Sequence, residues 1–276
     1  MKMPKITLLF CIALFLLLSN VSNSQVTYTT SKLKPAAFII EWDFSFNQPL
    51  PNAYGDLGDM FTFKNYGLKF GLGSHINMKL STDKKGRIRP YVSLGYDLLM
   101  NNNGNQAYIG ANTTNSYPFA GDSTGSAVPG TSKIWMHVFS GALGFEYAFT
   151  NRTKWTPYVN MDFGINMIFG TYKQTPTSVP ANVVPGEISF TIKQAARFGG
   201  SIGAGVDGRV TRFFGVAAGF RYRLANLTKS SNLSTDLNKF ELNDAANTTL
   251  NNNLTSGRTI GFLTFYLGAT FYIGKK

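Results

Sequence analysis

Long runs in which apolar and polar residues strictly alternate constrain the fold of this chain more than any other feature. The clearest run is 155–170, where the odd positions from Trp155 to Phe169 are all apolar and the even positions are mostly polar or small. Successive side chains of a β-strand point to opposite faces. The run therefore predicts a strand with one apolar and one polar face.

Eight such segments follow one another, each of about 11 residues or more, which is enough to cross a bilayer at the usual tilt. Their bounds are 36–46, 66–80, 89–100, 134–149, 155–170, 188–206, 212–224 and 259–274. Long and short connections alternate between them, which places every long connection on one side. The long ones are 47–65, 101–133, 171–187 and 225–258, and the short ones are 81–88, 150–154 and 207–211. This order predicts an all-β, eight-stranded antiparallel up-and-down barrel.

The size of the apolar side chains indicates which face lies outside. The apolar faces carry Trp42, Trp135, Trp155 and many phenylalanines, whereas the other faces are rich in glycine. The interior of eight strands is only just wide enough for side chains to fill. The apolar faces would overfill it, so we expect them to face lipid in a transmembrane barrel. A soluble ligand-binding barrel, with its apolar face inward, is the disfavoured alternative.

The N-terminal segment has the pattern of an export signal. Lys2 and Lys5 precede an apolar run over 6–18, which is too short to span a bilayer as a helix. We therefore expect a cleaved signal peptide. The predicted organisation is a signal peptide over 1–24, a short periplasmic segment over 25–35 and a barrel over 36–276.

With these features the chain resembles the bacterial outer-membrane eight-stranded barrels of the OmpA, OmpX and OmpW type, over about residues 36–274. Its last strand is similar to the assembly signal of such barrels, although the usual terminal aromatic residue is replaced by Gly274-Lys275-Lys276. The resemblance implies an outer-membrane location and recognition by the barrel-assembly machinery. The matching residues are Tyr266, Gly268, Phe271 and Ile273.

Charged residues on the polar faces are predicted to meet inside the barrel. A charge in a narrow lumen must be paired or hydrogen-bonded, so we expect a network that plugs the lumen; a gated or narrow conduction path is the alternative. Asp162 and Arg197 lie on neighbouring strands near the predicted mid-height. The inward charges are Glu41, Asp43, Lys69, Asp97, Glu146, Asp162, Lys193, Arg197, Arg221 and Arg223.

The remaining charge is concentrated at the short turns and the termini, where twelve basic residues face two acidic ones, Asp83 and Asp207. A basic ring at one membrane interface favours contact with anionic lipid headgroups; plain solvation is the alternative, and nucleic acid is disfavoured. The basic residues are Lys32, Lys34, Lys84, Lys85, Arg87, Arg89, Arg152, Lys154, Arg209, Arg212, Lys275 and Lys276.

Motifs for catalysis, cofactors or metals are weak. The G-x-G-x-x-G pattern from Gly203 to Gly208 ends a strand with no helix pattern after it, so it does not indicate a dinucleotide site. His75 is predicted to face inward and His137 to lie near the lipid interface, and two distant histidines make a poor metal site. Ser140 and His137 fall on opposite faces of one strand, which disfavours acyl chemistry. No cofactor, metal or catalytic residue is predicted.

The sequence thus predicts a non-enzymatic barrel with a structural or surface-interaction role, in which the loops 101–133 and 225–258 meet a ligand that the sequence does not identify. The alternative is a narrow channel or lateral conduit for small apolar solutes. This alternative is supported by three apolar residues that are predicted to face inward near the outer end, Ile168, Ile260 and Phe262. A third possibility is an accessory role in a secretion or display assembly.

Overall fold

The computed structural model describes residues 35–49, 71–103, 107–109, 126–128, 130–149, 154–176, 188–228, 239–240 and 260–274. Eight long strands dominate these ranges. They are β1 (Phe38–Pro49), β2 (Gly71–Leu80), β3 (Ile88–Asn103), β4 (Gly130–Ala148), β5 (Trp155–Pro176), β6 (Ile188–Arg209), β7 (Phe214–Leu224) and β8 (Gly261–Ile273). Among the described residues, no helix is long and apolar enough to cross a membrane.

Each long strand pairs antiparallel with its neighbours along the chain, and the first strand pairs with the last. The closing ladder between β1 and β8 runs from Phe38 opposite Ile273 to Pro49 opposite Phe262. The sheet therefore has no free edge where it closes, which satisfies the backbone groups that hydrocarbon cannot solvate. The predicted eight-stranded antiparallel up-and-down barrel is confirmed.

Two pairings lie outside the barrel ladders. Ala107–Ile109 pairs with Ser126–Val128 as a separate two-stranded sheet in the connection between β3 and β4. Lys239–Phe240 pairs in parallel with two residues of β6. The longest connections thus carry strand structure of their own.

The two faces of the barrel have opposite polarity. On β1, Glu41 and Asp43 are fully buried, whereas Trp42, Phe44 and Phe46 are about half exposed. The other strands repeat this arrangement, with large apolar side chains outside and polar ones inside. Such a surface requires an apolar solvent, and a lumen of this polarity is that of a membrane-spanning barrel.

Several strands are longer than the alternation predicted. β3 continues through Asn103, β4 begins at Gly130 and β5 ends at Pro176, so these strands enter the segments predicted as loops 101–133 and 171–187. The extra residues include Asn102, which pairs with Lys133. Ladder hydrogen bonds use the backbone and need no apolar side chain, so hydrophobic alternation does not mark these ends.

The short turn between β2 and β3 is organised by one carboxylate. Asp83 Oδ1 accepts hydrogen bonds from the backbone N–H groups of Arg87 at 2.6 Å and Ile88 at 2.9 Å, and Oδ2 accepts from Lys85 at 3.1 Å. Slight burial works against ionisation, but these backbone donors outweigh it and lower the pKa of Asp83. Gly86 has φ of 63°, which a residue with a side chain rarely adopts.

Candidate functional site: the enclosed charge network

Ten ionisable side chains form one continuous series of contacts inside the barrel, and none of these side chains is more than 10% exposed. We call this series the interior network. In the order of their contacts, its members are Asp207, Arg89, Glu146, Lys79, Glu41, Arg221, Asp43, His75, Asp97 and Arg223.

The section of the interior network nearest the short turns is centred on Lys79. Its Nζ lies 2.6 Å from Glu41 Oε2 and 2.6 Å from Glu146 Oε2. Arg89 Nη1 lies 2.8 Å from Glu146 Oε1 and 2.9 Å from Asp207 Oδ2. Each cation therefore bridges two carboxylates from different strands, which ties β1, β2, β3, β4 and β6 together across the lumen.

The middle section is centred on Arg221. Its Nη2 lies 3.3 Å from Glu41 Oε1 and 3.1 Å from Asp43 Oδ2. Asn77 Nδ2 donates to the same two oxygens at 3.0 and 3.1 Å. The guanidinium also lies 4.1 Å from the centre of the Tyr266 ring, a cation–π distance. These contacts stabilise the two carboxylates in the absence of bulk water.

His75 joins the middle section to the section nearest the long connections, which contains Asp97 and Arg223. Its Nδ1 lies 2.9 Å from Asp43 Oδ1 and its Nε2 lies 3.2 Å from Asp97 Oδ2. If both ring nitrogens donate, the ring is an imidazolium, whereas if Nε2 accepts from Arg223 Nη1, which contacts the same nitrogen, the ring is neutral. Arg223 Nη1 contacts the His75 ring and lies 2.8 Å from Asp97 Oδ2. Asn47 Nδ2 donates to the second oxygen of Asp97 at 2.7 Å.

The charges of the interior network nearly cancel. Its five carboxylates face four Lys and Arg side chains and His75, so the formal charge is −1 with a neutral ring and zero with an imidazolium. Removing a charge from water costs several kcal/mol unless it is paired in good geometry. Near-neutrality is what allows so many ionised groups to share one enclosed lumen.

Buried apolar side chains, which we call the apolar layer, lie beside the Asp97 and Arg223 end of the network and toward the long connections. Leu99, Val138, Ile168, Ile260 and Phe262 are each no more than 2% exposed. Leu99 follows Asp97 by two residues on β3 and therefore occupies the next inward position. The inward direction expected for Ile168, Ile260 and Phe262 agrees with this burial.

Glycines provide the space that the larger interior side chains occupy. A Cβ added at Gly95 would overlap the His75 ring, and one added at Gly144 would overlap the Tyr91 ring. Gly219 likewise faces the Tyr266 ring. The glycine-rich inner faces are thus a packing requirement of a narrow barrel filled with rings and charges.

The predicted interior residues fall into three groups. Glu41, Asp43, Asp97, Arg221 and Arg223 belong to the interior network, as does Glu146. Asp162 and Arg197 lie outside the interior network and have other partners. Lys69 lies outside the described residues, and the side chain of Lys193 is likewise not described.

Asp162 and Arg197 do not lie at one height. Asp162 is opposite Ser201 in the ladder between β5 and β6, whereas Arg197 is opposite Asn166, four residues farther along. Asp162 Oδ2 accepts from Ser201 Oγ at 2.6 Å and from Tyr91 Oη at 3.1 Å. Arg197 is half-buried and its Nη1 donates to a backbone carbonyl. The register, which sequence alone does not give, separates the two.

Two charges assigned to the short turns were placed wrongly. Arg89 and Asp207 are 4% and 2% exposed and lie inside the barrel, within 2.9 Å of each other. The reason is that β3 begins at Ile88 and β6 continues to Arg209, so the inward alternation includes both residues. Lys79, also missed as an interior charge, was recognisable from its position on the polar face of β2.

The other basic residues assigned to the short turns lie at that end of the barrel. Lys84, Lys85, Lys154 and Arg212 are exposed, and Arg87 is half-buried. Arg209 ends β6 instead of lying in a turn, with its guanidinium 4.3 Å from the centre of the Tyr272 ring. Arg152 lies outside the described residues, as do Lys32, Lys34, Lys275 and Lys276. Their contact with lipid headgroups stays a prediction.

The residues of the expected assembly signal all lie on β8. Tyr266 is buried in the lumen and Gly268 has the same inward parity, whereas Phe271 and Ile273 are 43% and 48% exposed on the outer face. Their recognition by assembly machinery stays a prediction. The predicted signal peptide at 1–24 and the segment 25–34 lie outside the described residues, so the signal peptide stays a prediction.

Within the described ranges, no group of three or more His, Cys, Asp or Glu side chains is arranged to hold a metal ion. The carboxylates of the interior network are bridged by Lys and Arg side chains and by His75, so the arrangement supports ion pairing. The G-x-G-x-x-G pattern lies along β6, where a Cβ added at Gly203 would meet Arg221 and one added at Gly205 would meet Tyr158.

No family model and no curated protein matches the chain. Among solved structures, it is similar to Neisserial surface protein A at 11% identity, with 86% of this chain and 98% of that chain covered and a TM-score of 0.45. It is similar to the outer-membrane protease OmpT from Escherichia coli at 8% identity, with 89% of this chain and 100% of that chain covered and a TM-score of 0.43. It is also similar to Ail, the attachment invasion locus protein of Yersinia pestis, at 10% identity, with 86% of this chain and 98% of that chain covered and a TM-score of 0.37. The barrel architecture is established by the strand pairing of this chain itself.

Proposed function

We propose that this chain is an exported, non-enzymatic protein of the bacterial outer membrane, with a plugged lumen and a structural or surface-interaction role exerted through its long loops. The observation that carries the proposal is the interior network, which joins six of the eight barrel strands through buried ion pairs. A lumen crossed by paired charges is suited to holding a scaffold rigid.

The apolar layer supports the plug independently. Ile168 and Phe262 are fully buried in the lumen toward the long connections, so hydrocarbon side chains help to fill the lumen there. An ion in such a layer loses its hydration without gaining a partner. Both layers therefore oppose conduction.

Conductance in planar lipid bilayers tests the plug. The wild-type barrel should add no stable single-channel steps above those of a detergent-only control. The variant Ile168→Ala/Phe262→Ala, which thins the apolar layer, should raise the frequency of steps. Large and stable steps from the wild-type protein would refute the plug.

The loop between β3 and β4 supports a role at the surface. Its separate two-stranded sheet pairs Ala107 with Val128 and Ile109 with Ser126, so part of this loop has strand pairing of its own outside the barrel sheet. Replacing 104–129 by a short turn should leave the barrel folded and remove adhesion of producing cells to host or matrix surfaces. Unchanged adhesion across a panel of such surfaces would contradict a role for this loop.

The pairing of the interior acids supports the non-enzymatic part of the proposal. Each carboxylate of the interior network lies within 3.3 Å of a cationic partner. We expect folded protein to give no turnover of peptide or phospholipid substrates. Turnover that is lost in an inward Asp→Asn variant would overturn this part.

A lateral conduit for small apolar solutes is the second candidate. A cavity in the lumen is lined by apolar side chains, by three polar side chains and by three glycines that add no side chain to its wall at β5 and β6. The apolar residues include Val138 and Phe262, the polar residues are Asp162, Asn166 and Arg223, and the glycines are Gly164, Gly199 and Gly200. Uptake of a small aromatic solute into proteoliposomes tests this candidate. Uptake that exceeds protein-free vesicles and is slowed by Val138→Trp would support it, and equal uptake would remove it.

A further inference from the structure

A second cavity lies at the short-turn end of the lumen, where the interior network ends. Its wall includes Arg89 from the start of β3, Thr156 from the start of β5, Arg209 from the end of β6 and Tyr272 from the end of β8. Because these strands lie on different sides of the barrel, the cavity lies within the lumen and not between two neighbouring strands. It has room for about two water molecules.

Three buried side chains in this wall keep polar groups that no described residue satisfies. Arg89, Thr156 and Tyr272 are each at most 7% exposed. Arg89 donates through Nε to the carbonyl of Gly86 at 3.0 Å and through Nη1 to two carboxylates of the interior network, which leaves Nη2. Among the described residues, the hydroxyls of Thr156 and Tyr272 have no hydrogen-bond partner. Buried polar groups ordinarily have one, so the wall is suited to a bound ligand.

The chemistry of these groups selects an anion. A guanidinium N–H can only donate, and each hydroxyl has one proton to donate. Arg209 adds a second guanidinium to the wall, 4.3 Å from the centre of the Tyr272 ring. Arginine is the side chain that most often binds phosphate and carboxylate oxygens. A ligand with several acceptor oxygens can reach donors from three strands at once, which a halide ion cannot do.

The charge of this end of the barrel also favours an anion. Arg89 is paired with two carboxylates, so it contributes direction more than net charge. The carboxylate of Asp83 already accepts three backbone N–H groups in its turn. A cluster of positive charge around an opening raises the local concentration of anions. The exposed basic residues at this end are Lys84, Lys85, Lys154 and Arg212, and Arg87 and Arg209 are half-buried.

We propose that this cavity binds one small oxyanion of the phosphate type, which enters from the short-turn side. Arg89 Nη2 and the hydroxyls of Thr156 and Tyr272 donate to its oxygens, and Arg209 supplies positive charge. Thr156 and Tyr272 belong to β5 and β8, the two long strands that contribute no member to the interior network. The bound anion therefore connects these two strands to Arg89 across the lumen.

Isothermal titration calorimetry with inorganic phosphate tests the site on the folded barrel in dodecyl maltoside, a detergent without phosphate. Ionic strength is held constant with sodium chloride, so that a site for any small anion gives no signal. We expect saturable binding of one phosphate per barrel. Thr156→Val/Tyr272→Phe keeps the side-chain shapes and the ion pairs of Arg89 but removes both hydroxyls. It should weaken binding by about tenfold or more, since a hydrogen bond to a charged group is worth about that factor.

The matched control is Lys84→Gln/Lys85→Gln, which lowers the positive charge of the same end without touching the cavity. Its affinity should stay within roughly threefold of the wild type, because exposed charges are screened by salt. A shift in gel mobility on heating verifies that each variant is folded. Absence of saturable binding, or equal affinities of the wild type and the hydroxyl variant, would overturn the site.

A parallel titration in micelles that contain phosphatidylglycerol distinguishes a soluble anion from a lipid headgroup. We expect the affinity for phosphate to be unchanged, because the cavity lies within the lumen. Competition by the lipid would mean that a headgroup occupies the site and would overturn the assignment to a soluble oxyanion. Either outcome leaves the conductance and loop experiments unaffected.

Discussion

Lys79 shows how a single side chain acts within the lumen. Its ammonium is fully buried and bridges Glu41 and Glu146 at 2.6 Å each. Removing one partner of a buried ion pair leaves an uncompensated charge, whereas the same change at the surface alters little. At the residue scale, stability therefore depends on partners and not on the number of charges.

Lys79→Met should lower the free energy of unfolding by about 3–5 kcal/mol, because two buried carboxylates lose their shared cation. Urea titration of the barrel in lipid vesicles, followed by tryptophan fluorescence, measures the change. Lys84→Met, at an exposed turn position, should stay within about 0.5 kcal/mol of the wild type. Equal costs for both variants would show that the lumen is hydrated.

Asp83 predicts a local dependence on pH. Its pKa is lowered in the folded turn, so its stabilising effect is present above the ordinary Asp range and is lost as the pH falls through the lowered pKa. Hydrogen exchange of the Arg87 and Ile88 amides should therefore be slower in the wild type than in Asp83→Asn at neutral pH. The two proteins should converge in acid, and a difference independent of pH would contradict this assignment.

At the scale of a strand, β4 offers a matched test of glycine packing. A Cβ at Gly144 would meet the buried Tyr91 ring, whereas one at Gly141 meets only Leu94 Cδ2 at 3.9 Å, an ordinary contact. Gly144→Ala should therefore cost about 1–3 kcal/mol, and Gly141→Ala should change stability by less than about 0.5 kcal/mol. Urea titration measures both, and the reverse order would mean that the inner and outer faces of β4 are exchanged.

The outer face of β5 tests contact with lipid. Ile165 is 53% exposed near the middle of the strand, so Ile165→Arg should cost about 2–4 kcal/mol at the bilayer midplane. Val210 is 57% exposed in the turn after β6, so Val210→Arg should cost at most about 1 kcal/mol. Equal urea midpoints for the two variants would argue against burial of β5 in hydrocarbon.

At the scale of the whole molecule, closure makes stability a collective property. The β1–β8 ladder joins residues as far apart as Phe38 and Ile273, and no strand can leave without exposing two edges to lipid. The folded barrel should therefore resist dodecyl sulfate without heating and migrate differently from the boiled protein on a gel. Deletion of 261–276 should abolish this difference, and identical migration of heated and unheated wild type would contradict a closed barrel.

The number of strands, their direction and the side that faces lipid were all predictable from sequence, because each depends on local alternation and on the order of long and short connections. Trp42 and Glu41 alternate on β1 whatever the strand is paired with. The strand ends were less predictable, since backbone pairing continues past the last apolar residue, as at Asn103.

The partners of the interior charges were decided by tertiary structure alone. Arg89 and Asp207 are 118 residues apart in sequence, and their ion pair depends on the register of every ladder between them. A shift of one residue in any ladder would turn one of the side chains away from the lumen. Alternation predicts which way a side chain points. Only the closed barrel, with its fixed stagger, determines which other side chains that side chain contacts.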